Sequence, residues 1–307
     1  MDIITSSEKI NIGYLGPPGT YSEQAAFFYL NWIKGNQKFK GEVILRPYPT
    51  IAKAIQAVTV QEVNLAVVPV ENSIEGSVSM TMDNLWQLEN LQIKQALVLP
   101  INHCLISCAT KLEDIEIVYS HPQALAQCQG WLGKFLPQAN LSATNSTTQA
   151  LEQLGKSPTT AAISSEKAAQ MYDLPILSNR INDYPDNCTR FWVVAPESRG
   201  ESSSSSSTHT SLAFSVPANI PGALVKVLQV FADLGINLSR IESRPTKRSL
   251  GEYLFFLDIE ASVLSSLMTT ALRNMSVNVE ILKIFGSYTV LTVDSVDKQV
   301  LKSDKIK

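Results

Sequence analysis

Six consecutive serines occupy positions 202–207 and divide the chain into a long N-terminal part and a shorter C-terminal part. A run of small polar side chains has no apolar surface to bury, which is typical of a flexible linker between domains. Each part must therefore build a core of its own. With 307 residues, 45% of them hydrophobic, the chain is long enough for two or three such cores.

The charge balance limits the class of partner. The formal net charge is −3 and 17% of the residues are charged, so no excess of positive field attracts a nucleic acid or an anionic membrane. No apolar run approaches the ~20 residues needed to cross a bilayer, and residues 1–13 lack the pattern of a secretory signal. We expect a cytoplasmic protein that binds neither nucleic acid nor membrane.

The four cysteines are irregularly spaced, at Cys104, Cys108, Cys128 and Cys188. This spacing suits reduced, mostly buried thiols in a cytosolic chain. A zinc site built from His103, Cys104 and Cys108 is the alternative, but neither the spacing nor the ligand order matches a common zinc site. Core packing is the better interpretation.

The N-terminal part repeats a strand, a polar turn and a helix. Residues 9–15 alternate as a strand, and residues 20–23 have the spacing of a capping box that opens a helix at 23–32. Later strands are predicted at 42–46, 64–70, 115–119, 141–144 and 160–163, and helices at 50–58, 78–88 and 123–135. The continuous apolar run at 64–70 is typical of a strand buried in a parallel sheet.

Each strand-to-helix junction supplies a hydroxyl or an amide. Ordinary capping explains any one of them, but five together suit two α/β lobes whose helix N-termini face a cleft and hold a small polyanion. Residues 91–107 cross Pro100 and form the passage between the lobes. His121 precedes a proline and is more typical of a turn than of a base, and Gln127 suits a surface position equally well.

Two polar segments lie where strands end or begin. Residues 71–77 place two carboxylates, an amide and two hydroxyls after a strand, and residues 187–191 place Thr189 and Arg190 at the opening of another. Open α/β sheets hold ligands at such edges. A solvated turn explains the first segment equally well. For the second, a Thr and an Arg that open a strand are more often a turn partner and a solvated charge.

After the linker the predicted order is strand, helix, strand, strand, helix, strand over residues 210–288. This order is that of a ferredoxin-like sandwich. Such a domain has an open sheet edge, which often pairs with a second copy.

Four segments resemble the successive motifs of prephenate dehydratase. They are GPPGTYS at 16–22, VENSIEGS at 70–77, SHPQALAQ at 120–127 and NCTRF at 187–191. In the C-terminal part, GALV at 222–225 and ESRP at 242–245 resemble the two motifs of its ACT regulatory domain.

The resemblance implies a fold of the α/β class: a bilobal, periplasmic-binding-protein-like catalytic domain followed by an α+β ferredoxin-like (βαββαβ) ACT domain. The catalytic domain is expected at 9–196, with one lobe at 9–90 and 179–196 and the other at 91–178. A Ser-rich linker is expected at 197–209, the ACT domain at 210–290 and a tail at 291–307.

The activity that the resemblance implies is a lyase reaction of phenylalanine biosynthesis, which converts prephenate to phenylpyruvate, water and carbon dioxide without metal or organic cofactor. L-phenylalanine is the expected effector, bound at ACT domains paired in a homodimer or homotetramer. Two alternatives remain: an arogenate dehydratase, and a non-catalytic amino-acid sensor.

By resemblance, Thr189 is the threonine needed for dehydration, and we expect it to donate a hydrogen bond to the departing oxygen, with Glu71 a possible proton source. The other residues are assigned to catalysis (Asn72, Ser73, Ser120, Gln127), to substrate binding (Gly19, Thr20, Tyr21, Ser22, Asn187, Arg190, Phe191) and to phenylalanine binding (Gly222, Ala223, Leu224, Val225, Glu242, Ser243, Arg244, Pro245).

Overall fold

The structure is a computed structural model that describes residues 9–36, 41–155, 157–197, 206–217 and 220–293. Most of the linker predicted at 197–209 and most of the tail predicted at 291–307 lie outside these residues.

The strands in chain order are β1 (Lys9–Leu15), β2 (Glu42–Tyr48), β3 (Leu65–Asn72), β4 (Gly76–Ser77), β5 (Leu91–Pro100), β6 (Cys104–Ile106), β7 (Ile117–Ser120), β8 (Asn140–Ala143), β9 (Thr160–Ser164), β10 (Ile176–Ser178), β11 (Cys188–Pro196), β12 (His209–Ser215), β13 (Leu238–Pro245), β14 (Tyr253–Ile259) and β15 (Ile281–Thr292). The α-helices are α1 (Tyr21–Asn36), α2 (Ile51–Thr59), α3 (Ser79–Gln87), α4 (Pro122–Ala126), α5 (Gln129–Phe135), α6 (Gln149–Glu152), α7 (Glu166–Met171), α8 (Ala223–Asp233) and α9 (Ser266–Ser276). Among the helices of the described residues, none is long and apolar enough to span a membrane.

The predicted two-lobed arrangement is confirmed. The first lobe is the sheet β2-β1-β3-β11-β5, in which β1 pairs parallel with β2 and β3 while β11 runs antiparallel to β3 and β5. The second lobe is the sheet β10-β6-β9-β7-β8. Separate apolar cores lie on the two faces of the first sheet, and the second sheet has cores of its own.

The lobe boundary expected between residues 90 and 91 is one strand too early. Strand β5 remains in the first sheet, where it pairs along its whole length with β11. The chain passes to the second lobe only at Ile101–His103, before β6. The sequence pattern shows that 91–100 is a strand, but it does not show which sheet the strand joins.

One predicted helix is broken. The helix expected at 123–135 is two helices, α4 and α5, separated at Gln127 and Cys128. The carboxylate of Asp183 accepts the backbone N–H groups of Gly130 and Trp131 at 2.7 and 2.8 Å, so it caps α5 from a distant part of the chain. The Asp183 N–H donates to the Gln127 carbonyl at 2.9 Å. The Gln127 side chain is buried at this break.

The C-terminal part has the predicted ferredoxin-like topology. Its strands form the antiparallel order β13-β14-β12-β15, and α8 and α9 pack on one face around a core that includes Phe214, Phe231 and Leu257. Strand β15 then continues beyond its partner β12, and Thr289 to Thr292 pair in parallel with β5.

This last pairing joins the two parts of the chain into one sheet. A Cβ at Gly286 would collide with the Ile93 carbonyl oxygen, so the close approach of β15 to β5 requires glycine there. Part of the sheet edge expected to be open for a second copy is therefore covered by the chain's own first lobe.

Candidate active site

A cleft of about 900 Å³ lies between the two lobes. The first lobe contributes the loop after β1, the start of α1, the loop after β2 and the cleft-facing ends of β3 and β11. The second lobe contributes residues from 121–127 and 145–152. Five of these elements are the strand-to-helix junctions or strand ends that the sequence singled out, so the prediction that they face a common cleft is confirmed.

The N-terminus of α1 forms one wall. Thr20, Tyr21 and Ser22 line the cleft. The predicted capping box is present in a modified form: the Glu23 N–H donates to Thr20 Oγ1 at 3.4 Å, while the Glu23 carboxylate accepts from the Gly19 N–H at 2.8 Å.

Gly19 itself does not line the cleft. Its φ is +86°, and a Cβ there would lie 2.9 Å from Met171 and 3.1 Å from Thr148, both in the second lobe. The Ser165 hydroxyl donates to the Gly19 carbonyl at 3.3 Å. Gly19 is therefore a point of close contact between the lobes, because only a residue without a side chain fits there.

Thr189 is the hydroxyl that β11 directs into the cleft. It is buried, with 8% of its surface exposed, and lines the cleft beside Phe191 and Asn72. The amide of Asn72 donates from Nδ2 to Thr189 Oγ1 at 2.9 Å. Because the Thr189 oxygen already accepts this bond, its hydroxyl hydrogen is available to a molecule in the cleft.

The orientation of the Asn72 amide follows from the turn after β3. Asn72 Oδ1 accepts the N–H groups of Ile74 and Glu75 at 3.0 and 3.1 Å, so Nδ2 must face the other way. Nδ2 also donates to Asn187 Oδ1 at 2.9 Å. The Ser73 hydroxyl is a second donor to Asn187 Oδ1, at 3.3 Å.

The chain of hydrogen bonds continues across to the second lobe. Asn187 Nδ2 donates to Gln127 Oε1 at 2.9 Å, and His103 Nε2 lies 3.0 Å from the same oxygen. His103 Nδ1 lies 3.1 Å from the Tyr21 hydroxyl, which donates to the Asn102 carbonyl at 2.6 Å. Burial lowers the pKa of His103, against a smaller opposing effect of Gln127. The sequence pattern suggested His103 only as a zinc ligand and did not predict its place in this series of hydrogen bonds.

Two predicted cleft residues lie on the opposite face of the sheet. Thr189 pairs with Asn72 and Arg190 pairs with Glu71 across β11 and β3, and successive side chains of a strand point to opposite faces. Neither Glu71 nor Arg190 is among the cleft-lining residues. Arg190 Nη1 lies 3.2 Å from Asp258 Oδ2 on β14 and 3.6 Å from Glu71 Oε2. The structure therefore does not bring Arg190, assigned to substrate binding, or Glu71, assigned as proton source, into the cleft.

Three other predicted residues support the site without lining it. Ser120 is completely buried and donates to the Ile163 carbonyl at 2.7 Å, which ties β7 to β9. Ser73 and Asn187 hold the start of β11 against the turn after β3. None of the three lies among the cleft-lining residues.

The cleft carries little charge. Among its lining residues in the described chain none is lysine or arginine, and the acidic side chain is Glu152. Its donors are instead hydroxyls, amides and helix N-termini. Ser146, Thr147 and Gln149 line the second lobe's wall and were missed as site residues. Their sequence signal was a capping box, which the structure shows in the bonds Gln149 N to Ser146 Oγ (3.0 Å) and Asn145 N to Gln149 Oε1 (3.0 Å).

The sequence left a zinc site at His103, Cys104 and Cys108 as an alternative. Within the described ranges, no group of three or more His, Cys, Asp or Glu side chains is placed to hold a metal ion. Cys104 donates to Asn179 Oδ1 at 3.1 Å, and both ring nitrogens of His103 face protein groups.

Among the residues predicted to bind an effector, those that end β13 lie at the junction with the first lobe. Gly222 caps α8 at a φ of +84°, Ala223 and Leu224 begin the helix, and Val225 is exposed. Glu242, Ser243, Arg244 and Pro245 end β13. Glu242 accepts from the Ser77 hydroxyl at 2.9 Å, and the Arg244 guanidinium holds both oxygens of Asp83 at 3.1 and 3.2 Å.

Comparison with known proteins matches both parts of the chain. A family model for prephenate dehydratase matches residues 12–199, and a model for the ACT domain matches residues 210–273. A prephenate dehydratase of Lactococcus lactis subsp. cremoris is 37% identical over 293 residues, covering 94% of this chain and 100% of the relative.

Solved structures are similar over nearly the whole chain. The prephenate dehydratase of Arthrobacter aurescens, in complex with L-Phe, is 30% identical with a TM-score of 0.79, covering 97% of this chain and 98% of the other. A protein described as a novel type of quorum-quenching acylase is 27% identical with a TM-score of 0.78, covering 92% and 98%.

Proposed function

The chain belongs to the prephenate dehydratase family, and from that premise we propose that it converts prephenate to phenylpyruvate. The carboxylate on the ring of prephenate leaves as carbon dioxide, and its bonding electrons enter the ring as the ring hydroxyl departs. The departing oxygen takes up one proton and becomes water. The ring becomes aromatic, so the substrate supplies the driving force and the barrier lies in expelling a poor leaving group.

The observation that carries the proposal is the Thr189 hydroxyl. Its oxygen accepts from Asn72 Nδ2 at 2.9 Å and its side chain lines the cleft between the lobes. The hydroxyl hydrogen can therefore stabilise the charge that develops on the departing oxygen. A threonine hydroxyl is too weak an acid to give up its proton fully, so Thr189 acts as a hydrogen-bond donor.

The substrate carries two carboxylates, and the cleft holds them without a basic side chain. The N-terminus of α1 supplies N–H groups and a positive dipole end, and Thr20 and Ser22 add hydroxyls. Ser146, Thr147 and Gln149 provide hydroxyl and amide groups on the facing wall. We place the two carboxylates against these two walls.

Regulation by L-phenylalanine belongs to the C-terminal domain, for which we propose the limits 210–292 because β15 ends at Thr292. The effector's carboxylate would pair with Arg244 and its ammonium with Glu242. We also propose that two copies of this domain pair in a homodimer or homotetramer. The exposed apolar side chains Ile220, Val225 and Ile241 support that pairing.

The similarity to an acylase suggests a second chemistry, in which Thr189 would attack a substrate. A nucleophilic hydroxyl needs a neighbouring base to accept its proton. The protein group described at Thr189 Oγ1 is the Asn72 amide nitrogen, which donates. The arrangement supports a hydrogen-bond donor rather than a nucleophile.

Direct turnover tests the function. Purified protein incubated with prephenate should produce phenylpyruvate, and incubation with arogenate in parallel should produce less phenylalanine. Preference for arogenate would make the protein an arogenate dehydratase, and no turnover of either would favour the amino-acid sensor. Isothermal calorimetry with L-phenylalanine completes the assignment, because effector binding without turnover is the signature of a sensor.

We further propose a cytoplasmic location. All four cysteines are free, and burial raises the pKa of the Cys104 thiol and of the Cys128 thiol. Unpaired thiols suit a reducing compartment. Fractionation of the native cells with an antibody to the protein would check this.

A further inference from the structure

His103 occupies one end of the hydrogen-bond chain that runs from the turn after β3 to the wall of the second lobe. It is 3% exposed, and neither of its ring nitrogens is free for a molecule in the cleft, since Nδ1 faces Tyr21 and Nε2 faces Gln127. Its effect on the reaction therefore passes through a neighbour.

The donor and acceptor roles along this series of hydrogen bonds are set at its other end, by Asn72. Two backbone N–H groups hold Asn72 Oδ1, so Asn72 Nδ2 donates to Asn187 Oδ1. Asn187 Nδ2 must then face Gln127 Oε1 and donate to it. Because Gln127 presents its oxygen to this site, the ring nitrogen 3.0 Å from that oxygen must carry a hydrogen.

These roles determine which atom of the Gln127 amide faces the cleft. With Oε1 held between Asn187 and His103, the Nε2 group of Gln127 has no described protein acceptor, and Gln127 lines the cleft. Two N–H donors are thus presented to the substrate, which is doubly negative. A rotated amide would present an oxygen to the same anion.

We propose that His103 is a positioning residue: its Nε2–H holds the Gln127 amide in the orientation that offers a donor, rather than an acceptor, to the anionic substrate. Burial lowers the pKa of His103 and favours the neutral ring. In that ring Nδ1 accepts, so the Tyr21 hydroxyl shares its hydrogen between the Asn102 carbonyl and His103 Nδ1. The proposal rests on the proposed function for the identity of the substrate used in the assay.

A matched pair of variants tests it. Glutamine reaches the place of the histidine Nε2 with a nitrogen donor, whereas leucine fills the space with none. We expect His103→Leu to raise KM for prephenate about ten-fold with kcat within about three-fold, since one oriented hydrogen bond is worth about a factor of ten. His103→Gln should stay within about two-fold of the wild type in both.

A double variant separates positioning from packing. If His103 acts through Gln127, then His103→Leu should add nothing to the KM of Gln127→Leu. Multiplying effects would overturn the proposal, as would equal KM values for His103→Leu and His103→Gln. Melting temperatures of all variants identify any that have lost the fold.

A spectroscopic readout does not depend on turnover. Nitrogen-15 NMR of histidine-labelled protein, with His103→Gln to assign the signal, should show a hydrogen on Nε2 of His103 at pH 7. An unprotonated Nε2 would overturn the proposal even in an active enzyme. Absence of prephenate turnover with a protonated Nε2 would count against the proposed function instead.

Discussion

The two faces of strand β11 differ in chemistry although their residues alternate along one segment. On the cleft face, Thr189 meets Asn72 in a chain of neutral amides and hydroxyls. On the opposite face, Arg190 meets Glu71 and Asp258 in a cluster of charges that joins the first lobe to the C-terminal domain. Thr189, which faces the cleft, and Arg190, which contacts the C-terminal domain, are therefore adjacent in sequence but lie on opposite faces of the sheet.

This comparison also explains how a dianion could be bound in a nearly uncharged cleft. Arginine at the cleft would bind substrate and transition state alike, whereas an oriented hydroxyl acts where charge develops. The guanidinium of Arg190 is used instead to hold the buried Asp258, which also accepts from Arg240 Nε at 2.8 Å.

The largest effect should come from Thr189→Val, which keeps the side chain's shape and removes its donor. We expect kcat to fall by ~10²–10³ with KM nearly unchanged, since the lost bond forms in the transition state. Thr189→Ser should keep part of the activity. Steady-state assays with prephenate measure both, and near-normal kcat in the valine variant would remove Thr189 from the reaction.

Substitutions in the charged cluster on the opposite face of β11 should change the free energy of unfolding. Asp258→Asn leaves two arginines beside a neutral group, and we expect the free energy of unfolding to fall by about 3 kcal/mol, as when one member of a buried ion pair is removed. Asp233→Asn, at an exposed carboxylate, should change it by less than ~0.5 kcal/mol. Denaturant titration measures both. A loss in Asp258→Asn no greater than in the control would show that the cluster contributes little.

The charged contacts between the first lobe and the C-terminal domain include Arg244, one of the residues predicted to bind phenylalanine. Arg244 is occupied by Asp83, which also lies 2.7 Å from Lys247 Nζ. If phenylalanine's carboxylate must displace Asp83 from Arg244, then Asp83→Asn should bind phenylalanine about two- to five-fold more tightly, the size expected of partly exposed ion pairs. Calorimetry would decide, and unchanged or weaker binding would mean that Arg244 holds Asp83 and effector together or does not bind the effector.

The smallest expected effect is on the pH dependence of stability, which should differ between His103 on the cleft side and Asp83 on the opposite side. Burial lowers the pKa of His103 below 6.5, so the unfolded chain takes up that proton first and stability falls as the pH drops below 6.5. For Asp83, burial opposes ionisation but the hydrogen bonds from Arg244 and Lys247 outweigh it, so its pKa lies below 3.8 and its stabilisation is lost only as the pH falls below 3.8.

The melting temperature of the wild type relative to His103→Gln should therefore decline between pH 6.5 and pH 5. Relative to Asp83→Asn it should stay constant over that interval and decline only near pH 3. A constant difference from His103→Gln would show that the folded protein holds the histidine with its ordinary pKa.

Local structure was readable from sequence where it depends on local chemistry. Thr50 caps α2 by accepting the Lys53 N–H, at the start of the helix predicted at 50–58. The strand at 9–15 and the ferredoxin-like order of the C-terminal part also follow from periodicity. Such features depend on neighbours within a few residues, and the motif order added the family.

The break at Gln127 could not be read in the same way. Its cause is Asp183, more than fifty residues later, whose carboxylate caps the second helix. The role of His103 depends likewise on Gln127, Asn187 and Asn72, which meet only when the two lobes come together.

By itself the sequence determined most helices and strands, the family and the threonine that the chemistry needs, because these follow from short-range patterns and ordered motifs. Period-two alternation also required that Thr189 and Arg190 face opposite sides of their strand. Only the tertiary structure decided which side is the cleft, because that choice depends on how β11 lies between β3 and β5 and on which face the C-terminal sheet covers.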